Sequence, residues 1–257
     1  MAQAQWPKVR TLRIEDLVQV LAAGLQDLRK APRFGLMFGL AYAAAGWLLV
    51  ALLFWLGLPF LAYPLAMGFT LVAPFAVAGL YAVSALLERG EQPTWSAILG
   101  AVREAASRDL RWMAIITGFS LVIWMDIAAF TFFAFNGFNA LDANVLETLL
   151  TTPSGLAFVV LGNALGAVVA MAVFSISVIS FPMLYDRDVD FVTAMVTSVR
   201  LVLQNPLTMI VWAVLIGVLI LVSLMSVFVA LIPILPMIGH ATWHLYRRAV
   251  ERVEEPA

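Results

Sequence analysis

The chain has 257 residues, 63% of them hydrophobic and 12% charged, with a formal net charge of −1. A soluble domain is near half apolar and about a quarter charged, so the excess apolar mass belongs in lipid; the apolar runs also lack the polar–apolar alternation of a barrel strand. The absence of cysteine excludes disulfides, thiolate metal ligands and cysteine nucleophiles.

Residues 1–33 hold acids as well as bases and no signal-type core ending in small residues, so insertion is expected to be driven by the membrane helices. Runs of about 20 apolar residues are enough to span a bilayer. They predict an all-α, polytopic membrane protein with six transmembrane helices, at about 34–56, 61–87, 112–135, 156–185, 207–231 and 234–246. A turn through Gly57, Leu58 and Pro59 joins the first two, and Pro233 and Pro236 lead into the last, which is the shortest.

The bases set the orientation. Six precede the first span: Lys8, Arg10, Arg13, Arg29, Lys30 and Arg33. Arg89, Arg103, Arg108 and Arg111 lie between spans two and three, and Arg187 and Arg200 between four and five. Arg247, Arg248 and Arg252 follow the sixth, and the alternate loops hold none. Positive residues resist translocation. The pattern therefore predicts a bacterial cytoplasmic (inner) membrane protein with both termini cytoplasmic and an even span count. The loop 136–154, with Asp142 and Glu147, is expected outside.

Three stretches on the basic side share a pattern: "DLVQVLAAGLQDLRKAP" (16–32), "TWSAILGAVREAASRDL" (94–110) and "DFVTAMVTSVRLVLQNP" (190–206). Each opens on a residue able to cap a helix (Asp16, Thr94, Asp190). A large apolar residue follows, and apolar or small residues recur four, seven and eleven positions later, which gives one stripe on a helix. The expected organisation is three tandem units of amphipathic helix plus two spans, at about 16–88, 94–186 and 190–248. Residues 1–33 form a cytoplasmic N-terminal segment with an interfacial amphipathic helix, 34–250 a single six-span membrane domain, and 251–257 a cytoplasmic tail. Units of like orientation place a repeat axis along the membrane normal.

The stretches "GLYAVSALLERGEQP" (79–93) and "GHATWHLYRR" (239–248), with the six spans, resemble a bacterial integral-membrane family called domain of unknown function 2189. The resemblance implies a multi-pass membrane fold and carries no chemistry of its own.

His240 and His244 are the only histidines. Spaced by four, they share a helix face. A metal needs a third and usually a fourth ligand, which Glu88, Asp186, Asp188 or Asp190 could provide; a haem could use one imidazole. Otherwise the pair ends the sixth helix, with Trp243 and Tyr246 in an interfacial aromatic belt. No cofactor is expected on balance, haem or a divalent metal at these histidines being the alternative. Asp126 is the one acid inside a span and Asn163 a second polar intramembrane candidate; such residues face the bundle or mark an ion path by default. The run Asp186–Asp190 lacks the glycine turn and ligand number of a calcium loop. Gly35, Gly39 and Ala43, and Gly162, Gly166 and Ala170, recur every four residues. That spacing permits close helix packing, within the bundle or between two copies.

The sequence has no nucleotide loop, serine elbow, H-E-x-x-H or general acid–base pair. Its bases are spread rather than clustered, against nucleic-acid binding. The expected function is therefore that of a non-enzymatic scaffold, accessory or assembly protein, with the lipid bilayer and another membrane complex or a second copy as partners. A small-solute transporter or channel is the alternative, and a haem- or metal-binding membrane protein the second alternative.

Overall fold

The computed structural model describes residues 7–58, 61–62, 64–66, 68–69, 77–107, 110–136 and 145–251. Pro59, most of the second expected span before Val77, Arg108, Asp142 and Arg252 with the tail lie outside them. Among the described residues the chain is all helix, apart from one isolated β-bridge between Val9 and Val250.

In chain order the helices are α1 (Ile14–Lys30), α2 (Pro32–Trp55), α3 (Ala78–Glu88), α4 (Trp95–Ser107), α5 (Leu110–Asn136), α6 (Val145–Thr151), α7 (Pro153–Ser177), α8 (Ser180–Asp186), α9 (Phe191–Gln204), α10 (Pro206–Met225) and α11 (Leu231–Ala249). Among the described residues, four stretches are long and apolar enough to cross a bilayer: Pro32–Trp55, Arg111–Phe135, Pro153–Asp186 and Pro206–Met225. Ala78–Glu88 and Phe191–Gln204 are shorter apolar helices.

Local chemistry explains most boundaries. Pro32 and Pro206 start α2 and α10 at the first helical position, where a missing N–H costs nothing. Thr152 caps α7 by accepting the Gly155 N–H at 3.0 Å, and Asp190 caps α9 by accepting that of Thr193 at 2.9 Å. Asp16 is not the cap of α1. The helix begins after Arg13, and the Asp16 carboxylate reaches back to the Arg13 N–H at 2.7 Å, because an acid in the first turn can satisfy a free amide there.

The span expected at 207–231 ends early, at Met225. Val227 and Phe228 have φ of 52° and 66°, a left-handed pair unusual for bulky residues. Hydrogen bonds hold this turn. The Phe228 N–H donates to the Ser223 carbonyl at 2.7 Å, the Ala230 N–H to the Ser226 hydroxyl at 2.9 Å, and the Trp47 indole to the Val227 carbonyl at 2.6 Å. The last helix then runs from Leu231 to Ala249, longer than the 234–246 expected, with Pro236 inside it.

α11 is the hub. Gly24 of α1 lies so close that an added Cβ would sit 2.6 Å from the Ala241 nitrogen. On α2, Gly35 meets Pro236, Gly39 meets the Ile232 carbonyl, and Gly46 meets the Phe228 ring. The numbers rise along α2 as they fall along α11, so the two are antiparallel. α3 descends beside α11, with Leu80 and Val77 against Gly239. α5 and α7 form a second antiparallel pair: Phe132 meets Phe158 edge-on at 5.5 Å, and Trp124 covers Gly166.

The two chain ends are knitted together. The Arg10 N–H donates to the Ala249 carbonyl at 2.8 Å, and the Glu251 N–H to the Lys8 carbonyl at 3.1 Å. The Asn205 side chain accepts the Leu12 N–H at 2.6 Å and donates to the Arg10 carbonyl at 3.2 Å. Arg248 pairs with Asp16 at 2.8 Å. Residues before α1, the α9–α10 joint and the end of α11 thus meet at one end of the bundle, called here the basic end.

The glycine contacts can be tested by adding one methyl group. Gly39→Ala places a carbon against the backbone of Ile232 and is expected to cost about 1–3 kcal/mol. Gly162→Ala, whose new Cβ meets only Phe158 of its own helix, should leave stability unchanged. Thermal melts of the two detergent-purified variants check the contrast.

Candidate functional site

The amphipathic stripe of α1 places Leu17, Val20, Gly24, Asp27 and Leu28 on its buried face. An acid therefore enters the interior beside α11. The Asp27 carboxylate lies 2.7 Å from Nε2 of His244. One turn back on α11, Nδ1 of His240 lies 2.8 Å from the hydroxyl of Ser84 on α3. Ser84 and His240 are fully buried and Asp27 is 5% exposed. The Ser84 hydroxyl also acts on the Asp27 carboxylate. The hydrogen bonds close when Nδ1–H of His240 donates to Ser84 and Nε2–H of His244 donates to Asp27. Nε2 of His240 is then buried without a hydrogen-bond partner at normal geometry among the described residues, the backbone of Leu80 being the polar group beside the ring. Burial pushes the Asp27 carboxyl up, but its hydrogen bond to His244, the His244 charge and the Ser84 hydroxyl hold it below the ordinary 3.8.

A second polar layer lies toward the basic end. Arg247 reaches Glu88 at 2.9 Å and Asp186 at 3.1 Å. The Tyr246 hydroxyl donates to Asp186 at 2.6 Å and accepts from Nε of Arg187 at 2.8 Å. The Trp243 indole donates to Glu88 at 3.2 Å, and its ring packs on Tyr81, Tyr185 and Tyr246. These bonds join the ends of α3, α8 and α11.

The serine, histidines and aspartate do not make a nucleophilic triad. That device puts the imidazole between hydroxyl and carboxylate in an open site. Here Ser84 stands between His240 and Asp27, in the interior. Among the described residues, no three histidine, aspartate or glutamate side chains gather as a metal would need. What the arrangement does is lock three helices in register.

The other candidates disperse. Asp126 is exposed on α5, on the same outward face as Phe119, Val122, Ile123 and Phe130. Asn163 is also exposed on α7 and donates to the Val159 carbonyl of its own helix at 2.8 Å. Neither side chain faces the bundle interior. Gly35 and Gly39 pack on α11 and Gly166 on Trp124, while among the described residues the atoms nearest an added Cβ at Gly162 belong to Phe158 of its own helix. In the 186–190 run, Asp186 belongs to the ionic layer and Asp190 to the α9 cap. The cap bonds from Thr193 keep the Asp190 carboxyl below its ordinary value.

α7 and α10 leave a gap between them. A cavity of about 380 Å³ opens there, walled by Met171, Phe174, Ile216, Ile220 and Leu235, with Thr242 near one end.

Sequence reasoning missed Asp27 and Ser84. For Asp27 a signal existed: a carboxylate on the apolar stripe of an amphipathic helix. For Ser84 there was none, since a small hydroxyl within "YAVSALL" is unremarkable for a membrane helix.

The model of a family described as "Predicted integral membrane protein (DUF2189)" matches residues 62–186. The match includes the 79–93 stretch singled out in the sequence and stops before 239–248. No curated protein and no solved structure matches the chain.

The buried pair has a pH signature. A carboxyl held below its ordinary value stabilises the fold when ionised, so its contribution is complete above pH 3.8 and is lost as pH falls through the folded-state value. Asp27→Asn is expected to cost about 1.5–3 kcal/mol at neutral pH, as for a hydrogen bond to a charged group. Melting temperatures measured from pH 7 downward should show the gap to the native chain closing below pH 3.8.

Proposed function

We propose, from the membership of residues 62–186 in the integral-membrane family DUF2189, that this chain is a non-enzymatic accessory or scaffold protein of a membrane complex, docked through the outward face of α5. The observation that carries this reading is the exposed Asp126. It lies within the apolar stretch Arg111–Phe135, about 22 Å along the helix from Arg111. A charge at the bilayer centre costs about 2.5–3.5 kcal/mol, and one in the outer half, as here, costs part of that unless a partner satisfies it. All 15 lysines and arginines lie outside the long apolar stretches or at their basic ends. A second copy therefore brings no base to that depth. The partner is a transmembrane helix of another protein, with a basic side chain level with Asp126.

A six-pass arrangement goes with this reading. α2, α5 and α10 run away from the basic end; α3, α7–α8 and α11 return. The pairing of Val9 with Val250 supports an even number of crossings, since both ends lie together. α1, α4 and α9 each precede an outgoing helix, which supports three tandem units around an axis along the membrane normal. The basic end faces the cytoplasm of a bacterial inner membrane, by the rule that positive loops stay inside.

The transport reading has less behind it. The cavity between α7 and α10 is apolar, and neither Asp126 nor Asn163 lines it.

Photo-crosslinking in native membranes tests the docking face. A crosslinker at Val122 or Phe130 is expected to capture one discrete membrane protein, while one at Val160 on α7 does not. Asp126→Ala should cut the yield about tenfold, equivalent to about 1.4 kcal/mol, and leave the isolated chain's melting temperature unchanged or higher. Yields that ignore the substitution overturn the reading. Reporter fusions at the two ends are expected to report the same, cytoplasmic compartment.

A further inference from the structure

The cavity between α7 and α10 has a shape, a lining and a mouth that specify its contents. On α7 the walls run from Ala167 to Val178, on α10 from Ala213 to Leu224, and on α11 from Leu231 to Thr242. Each of these stretches rises about 16 Å, so the space is a slot parallel to the helix axes. One leaflet of a hydrocarbon core about 30 Å thick is about 15 Å deep.

The lining is mostly apolar, with hydroxyls at Tyr42, Tyr81, Ser177, Ser223 and Thr242. Three of its hydroxyls are already bound to backbone: Tyr42 donates to the Phe69 carbonyl, Ser223 to that of Leu219 at 2.8 Å, and Thr242 to that of Ile238 at 2.8 Å. A water needs two to four polar partners to settle in a buried space. Small residues keep the bore open: an added Cβ at Gly217 would meet nothing within 4 Å. The slot also opens sideways. Ala167 and Met171 belong both to its wall and to a shallow depression on α7 formed with Val168, Ala172 and Ser175. Both helices lie in stretches apolar and long enough to cross a membrane, so the medium at the mouth is lipid.

We propose that the slot is a binding site for one acyl chain of a membrane lipid, entering between α7 and α10. The chain replaces a void with dispersion contacts along its whole length. It also serves as the missing wall between two helices that do not pack on each other. The site is separate from the α5 face and stands whether or not a protein partner docks there.

Native mass spectrometry of the full chain in mild detergent is the first test. The native protein is expected to retain one phospholipid, and Gly217→Phe or Ala213→Phe, which fill the slot, to lower retention about tenfold or more. The second test uses the unmodified chain, stripped of lipid, so it does not depend on the variants folding. Its melting temperature should rise on adding a phospholipid or a free fatty acid and stay put with glycerophosphocholine, which has the headgroup and no chain. A native chain that carries no lipid, filled variants that keep it, or stabilisation by glycerophosphocholine alone each overturns the proposal.

Discussion

The close approach of α1 and α2 to α11 is the contact on which the rest of the molecule depends. Apolar side chains gain little by leaving lipid tails for each other, so membrane helices hold together through short-range packing and hydrogen bonds. Gly24 and Gly39 let backbone lie almost on backbone, and Gly35 makes room for the side chains of Leu28 and Pro236. Gly24 and Ala241 each stand three residues from a member of the Asp27–His244 pair. Spread α1 from α11 by one methyl group and that hydrogen bond lengthens as well. Packing and polar cluster thus hold or fail together.

The charged, histidine and amide side chains of the described helices, with Ser84, divide by depth. Those near the basic end are engaged: Asp27, Ser84, His240 and His244 in the interior, and Glu88, Asp186, Arg187 and Arg247 around it. Those deeper in the apolar helices, Asp126 and Asn163, point outward. The interior between α7 and α10 is left to apolar walls. One end of the bundle is fixed by directional bonds, and the remainder by shape and by what the surrounding lipid provides.

Much of this was legible in the sequence. Helices form over all three amphipathic stretches, and proline and threonine mark where the long helices begin. The histidines lie in the last turns of a helix, but Trp243 and Tyr246, expected in an interfacial belt, are buried against Tyr81, Tyr185 and Asp186. What could not be read depends on which face of a uniformly apolar helix turns inward. α5 and α7 have no amphipathic stripe, so inward orientation for Asp126 and Asn163 was only the usual expectation. The stop at Met225 was hidden for the same reason: it is set by a left-handed turn and a bond from Trp47, 180 residues away. A glycine ladder likewise says that something packs closely, and only the fold shows that Gly39 meets a carbonyl while, among the described residues, the atoms nearest an added Cβ at Gly162 belong to its own helix.

The pairing of Val9 with Val250 has a bearing on how the molecule is made. The ribosome delivers α1 and α2 first and α11 last, yet these are the elements that fit one another most closely. The glycine-lined flank of α2 must stay uncovered in the bilayer, and Asp27 must wait without its histidine, through nearly the whole of synthesis. The α5–α7 pair can form on its own, but the face that α1 and α2 present closes only when α11 returns to it.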